Sequence, residues 1–441
     1  MRASILLATT IAFRGASLID GTGAPPIPNS LLVISDGRIV SVGGATPEAL
    51  RGLPAETRVI MLDRKWIIPG LIDAHVHAES EEDLRTMLHW GVTSVRLMAE
   101  DVALAQRLAA ASGGRKDIPE IFPAAPIFTT KGGWWDQGQP ADGSLNRFPA
   151  TPEQARQAVR KARALGAREI KLMLDDMAWC RAPKPSLPKI PPAVVKALIA
   201  EARTLGLRAT VHAPNLDDAR AAIAAGATAL AHGVLDPIDD ETIAVMKTRP
   251  VFYIPTMDIF EFLADTREFV DGVLAPARQR AAEQEIDGLK RWGLGDWLLP
   301  ATLERYRSPA YAEGYRERYP NFDNVRRHLP ALRENLKRLH AAGVPIALGT
   351  DMWAFPGLAV SIEMDLYGNA GFSRLEAIRA ATQTAARSFG MDEDRGTLEP
   401  GKRADFLVLQ RDPQSLEGLR DIEGTWKNGV RVGPPAQRRG P

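Results

Sequence analysis

Short apolar runs alternate with amphipathic stretches through the middle of the chain. The runs have the length and apolar continuity of buried strands, and they predict eight strands at 67–77, 93–99, 120–126, 169–174, 208–213, 228–233, 251–257 and 345–352. Most intervals between them have a helical pattern that begins at Pro or a capping residue and ends at Gly, as in residues 151–166. This alternation predicts an α/β fold, a (β/α)8 barrel of the TIM type over residues 67–390.

The two ends of the chain have a different pattern. Residues 1–66 contain short β-rich runs separated by Gly, Pro and Asn turns. Residues 391–441 contain two further strand patterns, "ADFLVLQRD" and "GTWKNGVRV", the second with an Asn-Gly turn signal. Because chain termini often lie close together, the two segments predict one small β-sandwich built from both termini.

One interval is too long for a single connecting helix. Residues 258–340, between the seventh and eighth predicted strands, form a charged insertion with a helical pattern and four of the six tyrosines. We interpret the insertion either as extra helices packed on the barrel or as a lid or subunit contact over the active site.

The composition limits the kinds of binding partner that are expected. The chain has 441 residues, 45% hydrophobic and 25% charged, which is ordinary for a globular protein. Its 55 basic and 54 acidic residues nearly cancel, so neither nucleic acid nor a membrane is expected as a partner. The single cysteine excludes an intrachain disulfide and fits a cytoplasmic protein.

Side chains able to bind metals lie at the ends of the predicted strands. The first strand ends in "HVH", and side chains at i and i+2 of a strand point to the same side. In a (β/α)8 barrel the active site lies at the carboxyl ends of the strands. Imidazole and carboxylate groups are ligands for zinc or a similar divalent ion. The residues that this pattern brings together are His75, His77, Lys171, His212, His232 and Asp351.

Each of these residues, taken alone, has a structural explanation. A single strand histidine is usually a hydrogen-bonded core residue, a lone lysine is usually solvated or ion-paired, and Asp351 could cap a helix. However, four of the seven histidines belong to the set, and five strands contribute to it at the same rim. The joint pattern therefore favours a metal site.

The motifs resemble those of the amidohydrolase superfamily, metal-dependent hydrolases built on a (β/α)8 barrel. "PGLIDAHVH" is similar to the superfamily's P-G-x-I-D-x-H-x-H, "VHA" and "AHG" to its next two histidines, and "LGTDM" to its G-[ST]-D. "GTLEPGKRADFLVLQRDP" resembles the tail that returns to the β-sandwich. "GAREIKLM" resembles a branch whose carbamylated lysine bridges two metals, which includes Xaa-Pro dipeptidase-like, imidazolonepropionase-like and ochratoxin-type enzymes.

The resemblance implies two divalent metal ions, expected to be Zn²⁺, and a carbamate made from carbon dioxide on Lys171. The ligands of the first ion would be His75, His77 and Asp351. The ligands of the second would be His212 and His232, with the carbamate bridging both ions. A hydroxide shared by the ions would be the nucleophile, and Asp351 would be the catalytic residue that carries its proton to the leaving nitrogen.

The function implied is hydrolysis of the C–N bond of a small-molecule amide, such as an N-acyl amino acid or a dipeptide. Hydrolysis of cyclic amides or lactones at the same metals is an alternative. A non-catalytic barrel acting as a scaffold is disfavoured, since all six ligand residues are present. Because members of the superfamily commonly assemble, a homo-oligomer is expected.

The predicted substrate contacts depart from the superfamily. Dipeptidase-like relatives often have G-G-H-G after the third strand, whereas this chain has "TKGGWWDQGQP". Trp134 and Trp135 therefore favour an aromatic or apolar substrate group, unless they only pack the loop. Tyr253, near the end of the seventh strand, either reaches the pocket or belongs to the core.

Overall fold

The computed structural model describes residues 10–78, 80–98, 102–136, 145–249, 251–264, 324–352 and 355–432. The strands, numbered in chain order, are β1 (Ile11–Arg14), β2 (Ser17–Leu18), β3 (Ser30–Ser35), β4 (Arg38–Gly44), β5 (Arg58–Met61), β6 (Trp66–Pro69), β7 (Leu71–Val76), β8 (Val92–Met98), β9 (Glu120–Ala124), β10 (Ile127–Phe128), β11 (Glu169–Met173), β12 (Arg208–His212), β13 (Ala229–Ala231), β14 (Phe252–Ile254), β15 (Phe406–Leu409), β16 (Ile422–Lys427) and β17 (Val430–Val432).

The helices of the described residues, also in chain order, are α1 (Pro47–Arg51), α2 (Glu81–His89), α3 (Val102–Gly113), α4 (Pro152–Ala164), α5 (Ala178–Arg181), α6 (Pro192–Thr204), α7 (Leu216–Ala225), α8 (Asp240–Thr248), α9 (Met257–Ala264), α10 (Asn324–Ala342), α11 (Leu358–Asn369), α12 (Arg374–Arg379), a π-helix (Ala380–Thr384), α13 (Ala385–Ser388) and α14 (Leu416–Arg420). The predicted insertion at 258–340 contributes α9 and α10. Its central part, residues 265–323, lies outside the described residues and includes the four tyrosines.

Two parallel sheets form the middle of the chain, with the strand orders β7-β8-β9 and β10-β11-β12-β13-β14. The segment 345–352 bonds to both sheets. The N–H of Ala347 donates to the carbonyl of Tyr253 in β14, and the N–H of Ala74 in β7 donates to the carbonyl of Leu348, each at 3.0 Å. With helices between its parallel strands, the chain has an α/β fold of the TIM-barrel type.

The helix α4 shows how the sequence pattern produces these elements. The side chain of Thr151 caps the helix by accepting a hydrogen bond from the N–H of Gln154, and Pro152 occupies the first turn. Alanine and valine at helical spacing form its buried face, which consists of Ala155, Ala158, Val159 and Ala162. The helix predicted from residues 151–166 is therefore confirmed.

The chain ends form two further β-sheets, with the strand orders β4-β3-β1-β5 and β17-β16-β15-β6-β2. Residues of both sheets belong to one hydrophobic cluster. In that cluster Phe13 of β1 lies edge-on to Phe406 of β15 and Trp426 of β16, with ring centroids 4.9 and 5.5 Å apart. The N-terminal and C-terminal segments thus meet through aromatic packing.

The first predicted barrel strand is divided at Gly70, which corrects the prediction of one strand at 67–77. The strand β6 pairs with β15 in a sheet of the chain ends, whereas β7 pairs with β8 in a parallel sheet. A Cβ atom at Gly70 would lie 2.3 Å from Oγ1 of Thr93, so the close approach requires glycine. The chain therefore changes sheets at Gly70 rather than at the predicted boundary between residues 66 and 67.

Two more predicted strands differ in detail. The run 120–126 gives β9 and then β10, with Pro126 between them lacking the N–H that a continuous ladder needs. The eighth run, 345–352, is an extended segment with a single parallel bridge, between Ile346 and Tyr253. Among the helices within the described ranges, none combines the length and the apolarity needed to cross a membrane.

Candidate metal centre

Two histidines and one aspartate meet at the carboxyl end of β7. The N–H of Asp351 donates to the carbonyl of His75 at 2.8 Å, which fixes the segment 345–352 beside this strand. Oδ1 of Asp351 lies 3.5 Å from Nε2 of both His75 and His77. One ligand atom from each of the three residues falls within 4.8 Å of the others, a spacing that suits a shared metal ion.

The other two predicted histidines continue this cluster. The ring centroid of His232 lies 4.6 Å from that of His75 and 4.4 Å from that of His212. Nδ1 of His232 is 3.8 Å from Oδ2 of Asp351. Four imidazoles from three strand ends therefore form one cluster, and three of them, His75, His77 and His232, lie within 3.8 Å of the Asp351 carboxylate.

Lys171 lies in β11 and is 2% exposed. Its Nζ has no hydrogen-bond partner within the described parts of the chain. Burial lowers the pKa of Lys171 to about 7, with Asp351 opposing the shift and Arg96 adding to it. The side chain can therefore hold a neutral amine nitrogen with a free lone pair.

Several buried nitrogens of the centre lack a hydrogen-bond partner in the described structure. They are both ring nitrogens of His75, Nδ1 of His212 and Nζ of Lys171. Burial, reinforced by Lys171, lowers the pKa of His77 to about 3 and that of His75 well below its usual value. Neutral, unpartnered imidazoles are the form that binds metal, so this donor set fits a divalent ion.

The backbone is strained at the rim of the centre. Asp351, His232 and Thr256 have φ values of 55°, 73° and 46°, in the left-handed region that non-glycine residues rarely adopt. The Oγ1 of Thr256 lies 3.0 Å from Nδ1 of His232. Gly349 also lets the chain pass, since a Cβ there would lie 2.9 Å from the backbone nitrogen of His75. Such strain concentrates at functional sites.

A buried aspartate below the centre was not predicted as a site residue. Oδ1 of Asp73 accepts hydrogen bonds from the N–H groups of His75 (3.0 Å) and Thr350 (3.1 Å), and Oδ2 accepts from the Thr350 hydroxyl (2.6 Å). Burial raises the pKa of Asp73 to about 7. Its position two residues before His75 on the same strand face was the available signal.

A second buried network lies near Lys171. Nε of Arg96 donates to Oε2 of Glu169 at 3.0 Å, and the Thr210 hydroxyl donates to Oε1 at 2.5 Å. Glu169 precedes Lys171 by two residues, so the same period-two argument could have identified it. Arg96 had no such signal, because it lies on β8, far from any motif.

The three predicted substrate contacts have different environments. The Trp135 ring lies 5.1 Å from the His77 ring, and its Nε1 has no partner within the described ranges. Trp134 packs instead against a small cluster that contains Met177 and Cys180. The Tyr253 hydroxyl accepts from the N–H of Val234 (2.9 Å), and the side chain is fully buried in the core.

Comparison with known proteins agrees with this geometry. The model of the amidohydrolase family matches residues 66–432. Ochratoxinase of Aspergillus niger is 25% identical over 477 residues, covering 95% of this chain and 86% of that protein. Imidazolonepropionase of Rhizorhabdus wittichii is 25% identical over 418 residues, covering 88% and 90%. The crystal structure of a Xaa-Pro dipeptidase with methionine in its active site has a TM-score of 0.72 at 21% identity, covering 97% of this chain and 100% of that one.

The chain therefore belongs to the amidohydrolase family, as its motifs predicted. As a member of this family with relatives named ochratoxinase and imidazolonepropionase, it is a hydrolase that acts on carbon–nitrogen bonds. Divalent metals are general in this family, and the group formed by His75, His77 and Asp351 is compatible with one.

Proposed function

We propose that the chain is a binuclear metal-dependent amidohydrolase that cleaves the amide or peptide C–N bond of a small molecule. The observation that carries the proposal is the convergence of four imidazoles and Asp351, in which both ring nitrogens of His75 and Nδ1 of His212 have no hydrogen-bond partner among the described residues. The groups that would hold the first ion are His75, His77 and Asp351. The second ion would be held by His212 and His232, and Zn²⁺ suits both donor sets.

Lys171 would link the two ions as a carbamate. Its neutral amine nitrogen forms a bond to the carbon of carbon dioxide and loses one proton, which leaves an anionic group with two oxygens. The buried position and the lowered pKa of the lysine support this role, since the free ammonium has no lone pair for a metal.

The chain's own groups then move the proton. Bound metal ions would lower the pKa of water and polarise the substrate carbonyl. Asp351 accepts the proton of the attacking water and passes it to the leaving nitrogen. Without metal ions, burial raises the pKa of Asp351 to about 7, opposed by the charge of Lys171.

The proposed substrate is an N-acyl amino acid or a dipeptide with an aromatic or apolar portion. Trp135 supports this choice, because its ring lies beside His77 at the rim of the centre. Trp134 and Tyr253 stay predictions, and their described contacts are those of packed residues. Cyclic amides or lactones are the second candidate, since the same ligand set would serve their hydrolysis.

The finer architecture is part of the proposal. We propose that the two parallel sheets and the segment 345–352 close an eight-stranded barrel. The hydrogen bonds that Ala347 and Leu348 make to the two sheets support this view. So does the N–H of Lys171, which donates to the carbonyl of Pro126. The two sheets of the chain ends would form the β-sandwich. Homo-oligomeric assembly, a cytoplasmic location and the absence of nucleic-acid or membrane partners remain predictions.

Amino-acid release tests the proposed function. The full-length protein, loaded with zinc and bicarbonate, is incubated with Xaa-Pro dipeptides, N-acyl aromatic amino acids, and a set of cyclic amides and lactones. We expect release from the acyclic amides, and we expect Asp351→Asn to lower kcat by at least about 100-fold. Equal rates for Asp351→Asn and the parent, or turnover of lactones alone, would contradict the proposal.

A further inference from the structure

Asp175 is a buried carboxylate directly beyond β11 that the proposed mechanism does not use. It is 1% exposed. Oδ1 accepts a hydrogen bond from the N–H of Met177 at 2.7 Å, and Oδ2 accepts from Nε1 of Trp179 at 3.3 Å. Oδ2 also lies 3.1 Å from Nε2 of His212. The carboxylate is thus held by two donors while it faces a ring of the candidate metal centre.

An ionised carboxylate only accepts hydrogen bonds, so its contact with His212 fixes the tautomer of the ring. The imidazole proton must lie on Nε2, where it can be donated to Asp175. Nδ1 then keeps its lone pair, and this atom is buried with no partner inside the described ranges. We propose that Asp175 is a positioning residue that keeps Nδ1 of His212 open as the metal-binding atom, an inference that rests on the proposed function.

The local backbone keeps Asp175 in one orientation. Met177, the residue whose N–H holds Oδ1, has φ 55° and forms the left-handed start of α5. Trp179 lies on this short helix and reaches back to Oδ2. An asparagine at position 175 has only one acceptor oxygen, which cannot replace both Oδ1, held by Met177, and Oδ2, shared by Trp179 and His212. Whichever way the amide turns, its nitrogen faces the N–H of Met177 or that of Trp179.

Two substitutions of Asp175 therefore remove different parts of this arrangement. In Asp175→Asn the amide can still turn its oxygen toward Nε2 of His212, so part of the hold on the ring is kept. In Asp175→Ala no group holds the ring or its tautomer. We therefore expect metal affinity at the second ion to fall by about 10- to 100-fold in Asp175→Ala and by less in Asp175→Asn.

The neighbouring residue supplies a matched control. Oδ1 of Asp176 accepts from the N–H of Ala178 at 3.0 Å, and Oδ2 lies 3.9 Å from Nζ of Lys189. Its carboxylate lies in the same loop, and these contacts are with residues outside the candidate centre. Asp176→Asn should therefore leave the metal affinity and the tautomer of His212 unchanged.

Two measurements on the full chain test the inference. Long-range ¹H–¹⁵N spectra of the metal-free protein, with His212 assigned by its loss in His212→Gln, report which ring nitrogen bears the proton. We expect Nε2–H alone in the parent and in Asp176→Asn, and a measurable share of Nδ1–H in Asp175→Ala. Zinc titration against a chelating dye then gives the number of tight sites, expected to be two in the parent and one in Asp175→Ala.

The outcomes separate this inference from the proposed function. A parent that binds two zinc ions, with Asp175→Ala also binding two at unchanged affinity, would overturn the role of Asp175 alone. The Nε2–H tautomer alone in Asp175→Ala, with no share of Nδ1–H, would do the same without any metal present. A parent protein with no tight zinc site would overturn the proposed function, whatever the tautomer of His212.

Discussion

Single residues of the candidate centre stand out because they lack partners inside the protein. A buried amine or imidazole without a hydrogen bond costs about 1–3 kcal/mol, so folded proteins rarely retain one without a use. Lys171 is the extreme case, since it combines 2% exposure with an unpartnered nitrogen in the described structure. The cost of keeping it there is offset if carbon dioxide and metal ions convert it into a ligand.

Substitution of Lys171 tests that conversion. Lys171→Ala should reduce tightly bound zinc and lower kcat by at least about 100-fold, because the bridging oxygens are lost. Metal content by mass spectrometry and the rate of amide cleavage measure both effects. Lys161→Ala, on the exposed face of α4, is the control and should change neither quantity. A Lys171→Ala protein with two ions and a full rate would refute the bridging role.

The sequence identified the proposed ligands but not the residues that support them. His75, His77, His212, His232 and Asp351 were found because histidine is scarce and falls at strand ends. Asp175 gave no comparable signal, since an aspartate after a strand is common in ordinary turns. Its contact with His212 depends on the path of the 174–181 segment in space, which spacing along the chain does not encode.

Two helices behind the centre are joined by acidic groups. The side chain of Glu363, on α11, accepts hydrogen bonds from the N–H groups of Met257 (2.9 Å) and Asp258 (2.8 Å) at the start of α9. Asp258 is itself fully buried. Burial raises the pKa of Glu363 from 4.5 to about 7, and burial together with Glu363 raises that of Asp258 well above its usual value. The charge of Asp73 also raises the pKa of both groups.

This pair predicts a pH-dependent stability. A carboxyl group with a raised folded-state pKa stabilises the protein below its unfolded pKa, and that contribution is lost as the pH rises through the folded value. For Glu363 this stabilisation is lost between pH 4.5 and about pH 7. Asp258→Asn removes one charge of the pair, so its stability relative to the parent should rise across this window by on the order of 2 kcal/mol.

Thermal unfolding at a series of pH values measures this effect. Asp365→Asn, also on α11 but ion-paired with Arg374 at 2.8 Å near the surface, is the matched control. Its difference from the parent should stay constant with pH. If the stability difference between Asp258→Asn and the parent is also independent of pH, the coupling between Asp258 and Glu363 is refuted.

At the level of elements, periodicity predicted the strands and helices better than it predicted their breaks. The runs at 169–174 and 208–213 became β11 and β12 almost unchanged, because each is short and has apolar residues at every second position, as a strand does. The division of the strand at Gly70 could not be predicted from the sequence, because it depends on how closely Thr93 of β8 approaches Gly70. Likewise, the apolar run 345–352 makes strand-like bonds without regular strand geometry.

For the whole molecule, the candidate centre brings together proposed ligands from distant parts of the chain. The strands β7 and β12, the end of β13 and the segment 345–352 each supply at least one. Metal binding should therefore stabilise the native state, by about 4 kcal/mol at a free concentration one thousand times Kd. Unfolding temperatures before and after chelation, and after zinc is restored, measure the effect. Identical temperatures in all three states would contradict the proposed centre.

The division of one strand run at Gly70 also has a consequence for the order of synthesis. The strand β6 emerges early from the ribosome, but its partner β15 is made after the parallel sheets. The strand β7 is also made early. The hydrogen bond from the N–H of Asp351 to the carbonyl of His75 can form only after most of the chain has been translated. The nascent chain therefore cannot assemble the candidate centre before residue 351 is translated, and the proposed metal ions would bind only after that point.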